Sequence, residues 1–332
     1  MKHNLKVTLF LILLFLLSQL MGLAIINQYV DIQESAKEGD TKANQDAFAQ
    51  TGGAPPDLTA EEERYVWIYI AAAILLGTVL VLIIIKFQVL KLWMAWFILS
   101  IVICLYFAFA QFIAKIISFF GINPSLKLLP ITILGFPVTV LTVITILLVS
   151  VLAYLKVIKK NVIIHNFTEI FIYGGLAALI ISVGINMVAA LALLIIISLY
   201  DMIAVWKTKH MVTMAKYQTE NKLFAGLMMP YNTKTGEFKL AADSKKKEKP
   251  KKTKTSTVKT AILGGGDVAF PLIFAGTVMK TFASFLYPII IIITTTIALF
   301  MLLTYGKKDR YYPAMPFISA GSLFGYLIVL FI

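Results

Sequence analysis

Nine times along this chain an apolar run of roughly 20 residues or more recurs, long enough to cross a ~30 Å hydrocarbon core as a helix rising 1.5 Å per residue. The runs span Leu5 to Ile26, Val66 to Ile85, Leu92 to Ile117, Leu129 to Leu155, Phe167 to Val183, Asn186 to Trp206, Ala261 to Ala283, Phe285 to Tyr305 and Pro313 to Ile332. Lipid offers no partner to a backbone N–H or C=O, so such segments must close their hydrogen bonds internally, as helices do. The expected fold class is all-α, a polytopic membrane protein with nine transmembrane helices. Composition agrees: 59% of the residues are hydrophobic and 14% charged, well outside the balance of a soluble domain. The basic start of the first run, MKHNLK, also suits a secretory signal, but no A-x-A site follows and the run is long, so it is read as a span.

The net charge of +13 would in a soluble protein point to nucleic acid. Here its location argues otherwise, because Lys207 to Thr260 holds 14 Lys against 4 acidic residues. This Lys-rich loop is too polar to fold alone and reads as largely flexible, with anionic headgroups as a secondary contact. Thr208 to Met229 mixes apolar and basic residues and is read as a short helix, interfacial or solvated. The chain thus divides into residues 1–206 with six spans, the loop 207–260, and residues 261–332 with three. The loop from Asn27 to Arg64 carries 9 acidic residues against 3 basic ones, whereas Lys86, Lys91, Lys156, Lys159, Lys160, Lys307, Lys308 and Arg310 mark alternate loops. By the positive-inside rule the N-terminus and the Lys-rich loop are cytosolic, and the acidic loop 27–64 and the C-terminus lie outside. TAEE at Thr59 to Glu62 reads as a capping box opening the second span. A single cysteine, Cys104, excludes an intrachain disulfide and reads as helix packing.

Of the 17 acidic residues, only Asp201 in SLYDMIAVW and Asp267 in LGGGDVAFP fall inside apolar segments away from their ends; Glu169 stands at the start of the fifth. A carboxylate in that setting costs several kcal/mol unless it faces a partner or a cavity. Asp201 lies about five residues, ~7 Å, before the cytosolic end of the sixth span. Asp267 lies about six residues, ~9 Å, into the oppositely directed seventh. The two therefore share a depth, and two neighbouring carboxyls share a proton more readily than both ionise. That is the arrangement of an aspartic protease, in which one carboxylate activates water and the protonated one donates to the peptide carbonyl. Gly264, Gly265 and Gly266 lack side chains and let the seventh segment approach a neighbour, or a substrate backbone approach it.

These residues resemble a known family. Tyr200-Asp201 on the sixth span, Gly264-x-Gly266-Asp267 on the seventh and Pro313-Ala314-Met315-Pro316 opening the ninth are similar to the YD, GxGD and PAL motifs of presenilins and signal peptide peptidases, with Met315 in place of the family's Leu. The resemblance implies a presenilin-like fold and an intramembrane aspartyl protease. It implies Asp201 and Asp267 as the catalytic pair, with Pro313, Ala314 and Met315 shaping the active site. Presenilins place the N-terminus in the cytosol, so the charge pattern favours that branch, closest to microbial, archaeal-type homologues thought to act without partner subunits. Substrates would be single transmembrane helices with the N-terminus outside, and a homo-oligomer is compatible with the sequence. The Lys-rich loop has no apolar plug that would mark self-cleavage.

Other chemistries find no support. There is no H-E-x-x-H, and His3, His165 and His210 fall outside the nine runs, where they read as solvated polar residues. No metal and no cofactor are expected, since water is the only co-reactant a carboxyl pair needs. GSLFG at Gly321 to Gly325 is a close-packing pattern. The alternative from another class is a transporter or channel in which the same two Asp relay protons or bind a cation, but no repeated halves are visible.

Overall fold

A computed structural model describes residues 5–30, 60–87, 90–133, 136–159, 161–182, 184–207, 224–232, 258–306 and 312–332. Among these lie nine α-helices: α1 Leu5–Ile26, α2 Ala60–Phe87, α3 Leu90–Phe119, α4 Val140–Tyr154, α5 Val162–Ser182, α6 Met187–Met202, α7 Gly265–Phe282, α8 Leu286–Tyr305 and α9 Met315–Phe331. Short π-helical segments, Leu155–Lys159 and Ile203–Lys207, extend α4 and α6. Seven of the nine, α4 and α6 counted with these extensions, are long and apolar enough to span a membrane. The other two, α7 with 18 residues and α9 with 17, rise about 27 and 25 Å. Thr59 of the expected capping box lies outside the described residues, as does most of the Lys-rich loop.

Two antiparallel ribbons depart from an all-helical reading. The first, β1 Lys127–Ile133 with β2 Phe136–Thr139, takes the opening part, up to Thr139, of what reads in sequence as the fourth span. Pro130 and Pro137 remove backbone donors that a helix would need, and β-branched Ile131, Thr132, Ile133, Val138 and Thr139 favour a strand. Helix α4 then begins behind Thr139, whose hydroxyl accepts from the Thr142 N–H at 3.2 Å. The second ribbon pairs β3 Gly226–Asn232 with β4 Val258–Gly264, from Gly226 opposite Gly264 to Asn232 opposite Val258. Thus Gly226 to Met229 are strand rather than helix, and the seventh helix begins at Gly265 instead of Ala261.

The main core is assembled chiefly from α1, α3 and α5 to α9, with Val66 of α2, Leu227 of β3 and Leu263 of β4 joining it, and α5 packs against α1, α3 and α7. A Gly174–Gly175 pair lets α5 press against both flanking helices. A Cβ on Gly175 would stand 1.9 Å from the Cys104 carbonyl oxygen on α3, and one on Gly174 3.1 Å from the Gly22 Cα on α1. Helices α8 and α9 close in the same way where Gly321 and Gly325 meet Thr294, Thr295 and Ile291, as the GSLFG spacing anticipates. Helix α2 stays outermost and shows apolar side chains such as Leu75, Leu76 and Val79 to the lipid side. Between α5 and α6, Gly184 turns the chain with φ +94°, and the Asn186 side chain caps α6 by accepting from the Ala189 N–H at 2.8 Å.

Candidate active site

Asp201 is the penultimate residue of α6, 3% exposed, and its Oδ2 accepts a hydrogen bond from the Met315 backbone N–H at 3.1 Å. Met315 is the first residue of α9, where N–H groups have no intrahelical acceptor. The Ala314 N–H turns to the same carboxylate. Asp201 therefore caps a helix other than its own, at the positive end of that helix's dipole. Pro313 is buried just before this cap, and Pro316, in the first turn, has no N–H to leave unsatisfied. One turn back on α6, the Ser198 hydroxyl lies 2.7 Å from that of Ser319 on α9, which fixes the two helices side by side. The Tyr200 hydroxyl is 3.1 Å from that of Thr78 and so ties α6 to α2.

Asp267 stands in the first turn of α7, three residues beyond the N-cap Gly264. From there its carboxylate turns back to the Gly264 N–H, the acidic half of a capping box. Gly264 is in extended conformation, φ −62° and ψ 146°, and a Cβ there would lie 3.1 Å from Asp267 Oδ2. A Cβ on Gly265 would lie 3.1 Å from the Tyr173 ring, whereas one on Gly266 would meet only Phe270 at 3.4 Å, an ordinary contact. Gly266 is exposed and Asp267 partly so, which leaves this side of the helix start open. Helix α7 packs against α6, which carries Asp201, and against α9, which Asp201 caps. Each carboxyl thus sits at a helix N-terminus, on elements packed against one another. The sequence places Asp267 some way into a helix; β4 takes those residues instead, because Val258, Thr260 and Ile262 favour the strand and three successive glycines disfavour helix interior. From α1, buried Gln19 donates to the Val268 carbonyl at 2.8 Å and holds the residue next to Asp267.

The ribbon that delivers Asp267 is itself held by polar side chains that sequence reasoning missed. His165 is buried, not solvated: helix α5 begins five residues earlier than expected, and His165 Nε2 lies 2.8 Å from the Gly226 carbonyl oxygen. Asn166 Nδ2 donates to the Met228 carbonyl at 2.8 Å, and Asn166 Oδ1 accepts from the Met228 N–H at 3.0 Å. Glu169 is a further acid in the interior, 1% exposed and ion-paired with Lys156, a residue that reads in sequence as a loop cation. His165 approaches the same carboxylate at 3.7 Å. The signal for this cluster is the polar run HNFTE at the start of an otherwise apolar helix. Because both backbone groups of Met228 are turned to Asn166, Met228 and Ile262 form a non-hydrogen-bonded pair, and the N–H and C=O of Ile262 point away from β3. Among the described residues no group bonds to these outward groups of Ile262; two residues on, the outward Gly264 N–H is taken by Asp267. No cluster of His, Cys, Asp and Glu able to hold a metal occurs among the described residues.

Two solved structures of a presenilin family intramembrane aspartate protease, in C222 and P2 space groups, share this fold. Each is 15% identical to the chain; the TM-scores are 0.58 and 0.55, with 97% and 96% of this chain and 97% and 95% of theirs covered. A search of curated proteins gives no match. The fold and its apolar helices are those of a multi-pass membrane protein. More particularly, the chain belongs to the family described as signal-peptide peptidase, presenilin aspartyl protease, whose model matches residues 56–332.

Proposed function

We propose that Asp201 and Asp267 are the catalytic dyad with which this protease hydrolyses peptide bonds inside transmembrane helices. The observation that carries the reading is the placement of two carboxyls at the N-termini of α9 and α7, on helices packed against one another, beside the outward backbone groups of Ile262 on β4. The ionised carboxyl takes a proton from water as the water oxygen attacks the scissile carbonyl carbon. The protonated carboxyl donates to the carbonyl oxygen, which gives a tetrahedral diol. Proton transfer to the amide nitrogen then lets the C–N bond break and restores the shared proton.

A helical substrate hides its peptide groups, so it must unwind before cleavage, and its freed N–H and C=O groups need new partners. The outward backbone groups of Ile262 supply them by strand addition, and exposed Gly266 lets the added backbone pass beside Asp267. Pro313, Ala314 and Met315 act by holding Asp201 through the Ala314 and Met315 N–H groups. The charge pattern supports a cytosolic N-terminus and an extracytosolic C-terminus, and the resemblance to microbial presenilins supports substrates with the N-terminus outside, cleaved without partner subunits. The test is to incubate the purified protein with a transmembrane peptide and map products by mass spectrometry. One internal cut in the apolar stretch is expected, and an intact peptide under conditions where the protein is folded would refute the reading.

A further inference from the structure

The β3–β4 ribbon has two edges, and the protein treats them differently. An exposed strand edge pairs with any extended peptide that reaches it unless something covers it. On β3 the cover is a pair of adjacent side chains of α5. Asn166 satisfies both the N–H and the C=O of Met228, and His165 bonds the C=O of Gly226 two residues earlier, on the same edge. The two side chains thus stand where a third strand would stand. Asn166 is 6% and His165 8% exposed, so water does not compete for these bonds. Glu169, paired with Lys156, stands 3.7 Å from His165 Nε2 and limits where the ring can turn.

The geometry points to Asn166 and His165 as positioning residues that decide which edge receives the substrate and where β4 delivers Asp267. With β3 closed, an unwound substrate adds only to β4, the strand that runs directly into Gly264 and Asp267. A strand added to β3 instead would lie roughly 10 Å from β4, at a ~4.8 Å spacing per strand, and out of reach of the dyad. This inference rests on the strand-addition reading above.

The test compares the full-length wild type, Asn166→Leu, Asn166→Asp and His165→Leu with one transmembrane peptide, measuring kcat, KM, thermal transition and the position of every cut. Asn166→Leu removes both bonds to Met228. It is expected to lower kcat about 10- to 100-fold, in line with the cost of misplacing reacting groups by about 1 Å, and to spread cleavage over neighbouring bonds. Asn166→Asp still accepts from the Met228 N–H but cannot donate to its C=O, and should lose less rate and less fidelity. His165→Leu should resemble it. A purely structural role would lower the amount of active protein without moving the cut. If Asn166→Leu shows no thermal transition, Asn166→Asp carries the test alone. A folded Asn166→Leu, or failing that Asn166→Asp, with wild-type kcat and a single wild-type cut overturns the inference. Failure of the wild type to cleave at all would instead overturn the proposed function.

Discussion

Gly264→Ala probes the site with a single methyl group, and the structure sets the size of its effect. The backbone at 264, φ −62° and ψ 146°, is open to any L-residue, so the substitution brings no strain of its own. Its Cβ would stand 3.1 Å from Asp267 Oδ2, closer than ordinary contact, and the carboxylate must retreat by a few tenths of an ångström. Turning a side chain ~30° off its rotamer costs about 0.5–1.5 kcal/mol, and a 1 Å misplacement costs about 100-fold in rate. A loss of about 3- to 10-fold in kcat is therefore expected, with stability changed by less than about 1 kcal/mol. Gly266→Ala is the internal comparison. Its Cβ meets only Phe270 at 3.4 Å, so nothing in the protein moves, and any loss of rate there reports on an approaching substrate. Initial rates of peptide cleavage in one detergent, with thermal transitions recorded alongside, decide the matter. A folded Gly264→Ala enzyme with the wild-type rate would show that the Asp267 carboxylate does not work from the position described.

Three further outcomes are expected. Because one carboxyl must be protonated and its partner ionised, the rate should be bell-shaped between about pH 4 and 9, its two limbs belonging to the pair and not to either residue; a rate still rising at pH 9 would refute proton sharing. Met315→Pro removes the N–H that Asp201 Oδ2 accepts and should cut the rate about tenfold or more, whereas Phe324→Ala, at an exposed position further along α9, should leave it unchanged; equal rates for the two variants would refute the capping role of α9. Cysteines placed at Gly52 and Ser256 should label from opposite sides of sealed vesicles, Gly52 from outside, and same-side labelling would overturn the orientation.

Much of this architecture is legible in the sequence because lipid enforces it. A run such as Leu5 to Ile26 has no alternative to a helix, and its bounds are those of α1. Asp201 and Asp267 stand out because an acid in such a run is costly. What the sequence hides depends on partners distant in the chain. Apolar strands and apolar helices look alike by hydropathy, so Leu129 to Thr139 and Ala261 to Gly264 read as helix until their pairing is known. Lys156 and Glu169 read as boundary charges because nothing local reveals that they neutralise each other in the interior. Ser319 carries no motif, yet it bonds Ser198, which lies three residues before Asp201 and on the same face of α6. Those positions draw their meaning from packing between helices, which periodicity within one helix does not encode.

The central claim, a catalytic carboxyl dyad, is tested most directly by Asp201→Asn and Asp267→Asn, each purified and folded, assayed for peptide hydrolysis by mass spectrometry and for proton or cation flux in the same vesicles. Loss of general acid–base catalysis costs about 10²–10⁴-fold or more. The account predicts that each single substitution removes cleavage by at least that factor, with the thermal transition retained and no flux in any variant. Substantial cleavage by either folded mutant at neutral pH, with deamidation back to aspartate excluded, would contradict the dyad. So would ion flux in the wild type that persists without hydrolysis and is stopped by both substitutions.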